Sequence, residues 1–196
     1  MTAVPPSDSL AGLVQVGAFT VFVPRFEELI ASATRMQIFF IHSRRWRENH
    51  DAAIKAFLAR PETSLEVFLP DLENHELLYS LEKHFDDGPL IPALVADAYR
   101  YFSRLARETR RVEIWLFGRY PTYSFYGFDE RAIIALYSNS TAKKELPAFE
   151  IQRDGFFGRF LAEDIEDLKR ECRKRAPEEI AALFGNTGSY RTGSSY

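Results

Sequence analysis

The chain has little of several things that would narrow its chemistry. It carries one cysteine, Cys172, among 196 residues, which excludes an intrachain disulfide and a multi-cysteine zinc site. Sparse cysteine fits a reducing compartment, and the expected location is the cytoplasm. Long apolar runs are missing too: the longest, such as Ile38-Phe39-Phe40-Ile41, are strand-sized, far below the ~18–20 residues of a membrane-spanning helix. Pro5, Pro6, Ser7 and Asp8 stand where a secretory signal would carry basic and then apolar residues, so neither export nor a membrane partner is expected. No charge of one sign dominates: 25 Lys and Arg face 28 Asp and Glu, a formal −3 with a pI near 5.9. Such a surface does not hold nucleic acid or anionic lipid by bulk electrostatics, although it allows a local basic patch.

What is present is a globular composition, 46% hydrophobic and 27% charged, with 17 Phe and 9 Tyr promising an aromatic core. A chain of this length buries about 70% of its unfolded surface without covalent staples. The expected organisation is a disordered leader over 1–10, a single α/β domain over 11–184, and a disordered Gly/Ser-rich tail over 185–196.

Periodicity supplies the elements. Residues 13–23 are β-branched and aromatic, as in a strand; Pro24 then opens a helix whose Phe26, Leu29, Ile30 and Ala33 share a face, feeding a strand over 36–41. A helix over about 47–59, ended by Pro61, and a strand over 65–69 repeat that plan. Helical spacing follows around Leu77, Leu78, Leu81 and Phe85 and again over 89–110, where the basic residues Arg104, Arg107, Arg110 and Arg111 suit a helix C-terminus. Strands are expected at 112–117, 123–128 and 132–137, the last two as a hairpin around Asp129-Glu130-Arg131, with an edge strand at 147–151. A helix over 156–174 and a short one over 177–184 close the chain. Helices between early strands and a hairpin late imply an α/β fold with a mixed sheet, parallel first and antiparallel later, flanked by helices.

Ligands of such sheets sit beyond the carboxyl ends of the parallel strands, which singles out the segments after Ile41, Leu69 and Phe117. The first is His42-Ser43-Arg44-Arg45-Trp46-Arg47-Glu48-Asn49-His50. Guanidinium forks, an indole and the free amides of a helix N-terminus suit a phosphate-bearing ligand, making Arg44, Trp46 and Asn49 candidate contacts. The plainer account makes this a solvated helix entrance, with Ser43 as the cap and Trp46 packed on a neighbour. His42 and His50 are candidate acid/base groups because imidazole titrates near neutrality. After Leu69, Asp71 and Asn74 offer a carboxylate and an amide, Asp71 serving equally as a helix cap with Asn74 exposed. Asp71, His75 and His42 match no compact zinc signature, so no metal and no cofactor are expected. The third segment brings Tyr123, Ser124, Tyr126 and Asp129, the last also suited to hydrogen-bonding its own turn.

This element order, with the segments Glu66-Val67-Phe68-Leu69-Pro70 and Phe128-Asp129, resembles a half-domain of the phospholipase D superfamily over roughly residues 20 to 172. That family carries H-x-K-x-x-x-x-D, with His as nucleophile on phosphorus and Lys on the phosphate. Setting Asp129 on the motif's Asp puts Thr122 at the His and Ser124 at the Lys, so the catalytic pair is missing. The resemblance therefore points to the motif-less phospholipase D-like domains of bacterial regulatory and defence proteins. It implies a catalytically silent homodimer binding a nucleotide or a nucleic-acid end. Two alternatives stand beside it: a phosphodiesterase or nucleotide glycosidase using His42 or His50 with Asp71 or Asp129, and a structural subunit pairing through its aromatic strands.

Overall fold

A computed structural model describes residues 12–85, 90–138 and 145–180. The leader expected over 1–10, the tail over 185–196 and the end of the 177–184 helix lie outside the described residues; 177–180 are helical. The strands are β1 (Leu13–Ala18), β2 (Arg35–Phe39), β3 (Ser64–Pro70), β4 (Val112–Phe117), β5 (Tyr123–Phe128), β6 (Arg131–Leu136), β7 (Pro147–Gln152) and β8 (Arg173–Arg175). The helices are α1 (Val23–Ser32), α2 (Arg44–Ala59), α3 (His75–His84), α4 (Ile91–Thr109) and α5 (Phe156–Glu171). All the strands join one sheet in the order β1-β7-β6-β5-β2-β3-β4-β8. β2, β3 and β4 run parallel, β5 is antiparallel to β2, and β6, β7 and β1 continue antiparallel, as β8 does beside β4. The mixed sheet expected from the sequence is the one observed.

Local chemistry explains the elements. Pro24 supplies its fixed φ in the first turn of α1, and Phe26, Leu29 and Ile30 turn inward at helical spacing. In α4 the same spacing buries Val95, Ala98, Tyr99, Phe102 and Leu105, and Arg110, at φ 54, ends the helix. Strand alternation sends Phe40, Trp46 of α2, Phe102 of α4 and Tyr126 to one face, and Phe39, Phe117 and Tyr123 to the other, where α5 crosses. Each fully buried Phe contributes about 1.5–3 kcal/mol, so this two-faced aromatic core dominates the stability of the fold.

Three boundaries differ from the sequence reading. The first strand stops at Ala18, and Phe19–Phe22 form a 3-10 turn that drives Phe22 into the core before α1 begins. The 147–151 strand is interior, because β1 pairs outside it. The last helix ends at Glu171 and Arg173–Arg175 become β8, whose Lys174 lies over Trp115 at 5.3 Å.

Register places the two ends of the sheet. Phe39 pairs with Phe125 and Met36 with Phe128, so β5 begins at the carboxyl ends of the parallel strands and finishes at their amino ends. Residues 41–44, 71–74, 118–124 and 137 therefore gather at one rim, and the β5–β6 turn at Asp129 lies at the opposite end.

Candidate functional site at the carboxyl rim of the sheet

A chain of hydroxyls occupies the centre of the rim. Ser43 follows β2 in the left-handed region, φ 40, and its Oγ lies 2.7 Å from the Tyr126 phenol oxygen. The Ser124 hydroxyl bonds both Tyr126 and Tyr137, and the Tyr137 oxygen accepts the Ile41 amide at 3.4 Å. Burial pushes the Tyr126 phenol up to about 12 and the Tyr137 phenol up as well, because an ionised phenol there would lose its solvation. The centre is consequently uncharged at neutral pH. It can exchange hydrogen bonds, but it offers no fixed cation to a phosphate. Thr122 is exposed beside it, while Ser124 is 4% exposed.

The α2 entrance divides into an outer and an inner part. Arg44 and Arg45 are exposed, with Arg44 Nε donating to Glu48 at 2.8 Å, and the Arg44 amide donates to His42 Nδ1 at 3.3 Å. Ser43 gives α2 no side-chain cap, since its hydroxyl is used by Tyr126. Arg47 turns inward: its guanidinium meets Asp97 of α4 at 2.7 Å and the His42 carbonyl at 3.1 Å, and lies 5.2 Å over the Tyr101 ring. Trp46, expected as a stacking surface, is 4% exposed and packs among Phe26, Phe40, His50 and Tyr126. His50 is 1% exposed; neither ring nitrogen has a hydrogen-bond partner, and burial lowers its pKa against a weaker opposing pull from Glu27. An imidazole so enclosed cannot reach a substrate at the rim. Asn49 is exposed on the outer side of α2.

The β3 end corrects the cap assignment. Asn74, not Asp71, caps α3, its Oδ1 accepting the Leu77 amide at 3.0 Å while its Nδ2 donates to the Gly118 carbonyl at 3.2 Å. Asp71 closes a local turn by accepting the Glu73 amide at 3.0 Å and pairs with Arg173 of β8 at 2.9 Å. Its charge is thus tied into a β8 network that includes Glu73 and Arg175.

Two further candidates part from the group. Tyr123 points to the other face of the sheet, meeting Phe39 edge to face at 5.6 Å and donating to Asp164 of α5. Asp129, at φ 44, accepts the Thr34 amide at 2.7 Å, the Thr34 hydroxyl at 3.1 Å and the Arg35 amide at 2.8 Å. It ties the far end of the sheet, and no pairing of His42 or His50 with Asp129 is possible across the length of the strands. Tyr126 meets Trp46 at 4.9 Å, but both are interior.

The sequence reading missed Tyr137, and with it the hydroxyl chain. Its signal was its position one residue beyond β6, directly across the hairpin mouth from Thr122, whose carbonyl accepts the Tyr137 amide at 3.0 Å. Among the described residues no group of three His, Cys, Asp or Glu is placed to hold a metal ion. No helix among them is long and apolar enough to cross a membrane.

No family model matches the chain, and no curated protein matches it. Solved structures do. TrmBL2, an archaeal chromatin protein with a novel mode of DNA binding, superposes with a TM-score of 0.55 at 14% identity, over 87% of this chain and 57% of that one. The chain thus spans little more than half the length of that protein. Nuc from Salmonella typhimurium, a phospholipase D family member, gives 0.52 at 13% identity, over 83% of this chain and 97% of that one. Phosphatidylserine synthase from Haemophilus influenzae gives 0.53 at 13% identity, over 82% and 40%. The fold is phospholipase D-like.

Proposed function

We propose that this chain is a catalytically silent phospholipase D-like domain that binds a phosphate-bearing ligand, a nucleotide or a nucleic-acid end, at the carboxyl rim of its sheet. The observation that carries the reading is the Ser43–Tyr126–Ser124–Tyr137 hydroxyl chain, in which Ser124 stands where the resembled family needs its Lys, beside Thr122 where it needs its His. A hydroxyl can attack phosphorus only with a base to take its proton, and Thr122 has no such partner among the bonds described at the rim. Binding needs less. The exposed Arg44, which also meets Glu48, and Arg45 flank a helix N-terminus to which Ser43 gives no side-chain cap, and guanidinium groups and helix amides attract an anion. DNA binding by the structurally similar chromatin protein agrees with a nucleic-acid ligand. Ligand occupancy without turnover suits a regulatory or defence role.

The enzymatic alternative loses His50 to the core and Asp129 to the wrong end of the sheet, leaving His42 with an Asp71 already paired to Arg173. The test is a panel of mononucleotides, dinucleotides and 5′-phosphorylated oligonucleotides, scored in parallel for binding and for turnover. Binding without turnover is expected, with Arg44→Ala reducing the salt slope of log affinity by about one, as for one lost phosphate contact. Turnover abolished by His42→Ala would establish the enzyme instead. Failure of every phosphate ligand to bind would remove the proposal.

A further inference from the structure

The two faces of the sheet are charged differently, although the formal charge of the chain is only −3. On one side α5 sets Glu163, Asp164, Glu166, Asp167 and Glu171 against Arg159, Lys169 and Arg170. On the other side the solvent stripe of α4 is Arg100, Arg104 and Arg107, spaced at four and three and all exposed, with Arg110 exposed just past the helix. Of the basic residues that close α4, Arg111 is the one that serves a helix end, and the helix is α2: its guanidinium donates to the carbonyls of Leu58, Arg60 and Thr63. Arg104 instead lies 5.6 Å over the Tyr101 ring, and Arg107 Nε donates to the Ser103 carbonyl at 3.3 Å, contacts that leave both positive charges at the surface. The acids of the α2–α4 seam are already paired, Glu48 with Arg44 at 2.8 Å, Asp51 with Lys55 at 2.6 Å and Asp97 with Arg47 at 2.7 Å. Glu108, exposed in the last turn, is the remaining acid of α4.

α2 and α4 both lead to the amino ends of the parallel strands they precede, so the arginines run from the middle of α4 away from the rim, on the face that Arg44 and Arg45 enter. We infer that this face holds the sugar–phosphate backbone of a nucleic-acid duplex whose end lies at the rim; the inference rests on the rim reading and extends it from an end to the strands behind it. Spacing and chemistry favour that occupant. Arg100 to Arg107 spans about 10 Å at the helical rise of 1.5 Å per residue, and one strand of a duplex sets a phosphate about every 3.4 Å of its axis, so three guanidinium groups face about three phosphates. Every cation of the stripe is an arginine, whose planar fork matches phosphate oxygens, where lysine would offer a point charge. An anionic bilayer fits less well, because none of the large apolar side chains exposed among the described residues lies in the last three turns of α4 to enter it.

Binding of the full chain to a 5′-phosphorylated duplex of about 20 base pairs and to a 5′-phosphorylated dinucleotide, each measured between about 50 and 200 mM salt, tests the inference. The duplex is expected to bind more tightly and with the steeper salt slope. Arg104→Gln with Arg107→Gln should weaken the duplex more than about tenfold and lower its salt slope by about two, while leaving the dinucleotide and the melting temperature unchanged. Arg159→Gln with Arg170→Gln, on the α5 face, should change neither ligand. A duplex that binds no better than the dinucleotide overturns the inference and spares the rim reading, as does a duplex whose affinity and slope survive the α4 substitutions. Duplex binding lost with those substitutions, in a protein that ignores every short phosphate ligand, keeps the α4 face and removes the rim reading. Capture by phosphatidylserine vesicles that the same substitutions abolish, with no duplex bound, would assign the face to a membrane and overturn the inference.

Discussion

The Ser43 hydroxyl lies 2.7 Å from the phenol oxygen of Tyr126, joining the turn after β2 to the interior of β5. The contact draws a serine into left-handed backbone, which costs about 1–2 kcal/mol in a residue other than glycine, and it leaves α2 without its side-chain cap. Both costs are offset by satisfying a phenol that the sheet and α2 have otherwise closed off from water. The rim is therefore built around an internal polar contact.

Tyr126→Phe should lower stability by about 1 kcal/mol, a fall in melting temperature of about 2–4 °C for a chain of this size. A double-mutant cycle with Ser43→Ala should return a coupling energy of about 0.5–1.5 kcal/mol. The phenol also sets an alkaline limit. Its folded pKa, about 12, lies above the ordinary 10.0, so its contribution is whole below pH 10 and is lost as pH rises toward 12. Alkaline unfolding followed by tyrosinate absorbance should show this limb, and Tyr126→Phe should reduce it.

His50 should make the fold sensitive to acid. Burial lowers its folded pKa below the ordinary 6.5, so the unfolded chain takes up a proton that the folded chain refuses. Stability is whole above about pH 6.5, declines as pH falls through 6.5 toward the lowered folded value, and levels beneath it. His50→Leu should flatten this limb and, by removing two unpartnered nitrogens, add about 1 kcal/mol near pH 6. Chemical denaturation across the range from pH 5 to pH 8 reads both effects.

Asp129→Ala should cost about 2 kcal/mol, because it leaves the Thr34 and Arg35 amides without their carboxylate and a β-carbon in left-handed backbone without local compensation. Asp129→Asn, which tolerates that backbone, should lose less. Neither should alter phosphate-ligand affinity, because the turn is at the end of the sheet away from the rim. A change in affinity with Asp129→Asn at unchanged stability would contradict the placement.

Much of the fold was legible because alternation and helical spacing report burial directly. β4 falls at Val112–Phe117 as read, and the hairpin and α5 lie where their apolar residues put them. β8 was not legible: Arg-Lys-Arg reads as a basic helix end, and only backbone pairing with β4 makes it a strand. At the site, strand alternation separates Tyr123 from Ser124 and Tyr126, but it does not say which face is wet. Trp46 packs on its neighbours, as the plainer account of the α2 entrance had it, and Arg47 turns inward beside it, because a charged, aromatic helix entrance has the same composition whether it meets ligand or packs inward. The end of the sheet occupied by Asp129 was within reach of the sequence, since a hairpin strand that starts at the rim must turn at the opposite end.

Thr122 and Ser124, the positions set on the family's His and Lys, differ sharply in what they tolerate. If the family's cleft were merely lacking its side chains, Thr122→His with Ser124→Lys would restore phosphodiester cleavage. Ser124, however, is 4% exposed and shares its hydroxyl with Tyr126 and Tyr137, so a lysine there must bury an ammonium or expel both phenols. Ser124→Lys should destabilise the fold by on the order of 3–5 kcal/mol. Thr122→His, at an exposed position, should be near neutral, within about 0.5 kcal/mol. Thermal unfolding separates the two substitutions, and assay of the double variant on a chromogenic phosphodiester completes the test. A stable double variant that cleaves would show that the hydroxyl chain is a replaceable lining and that the cleft behind it is intact.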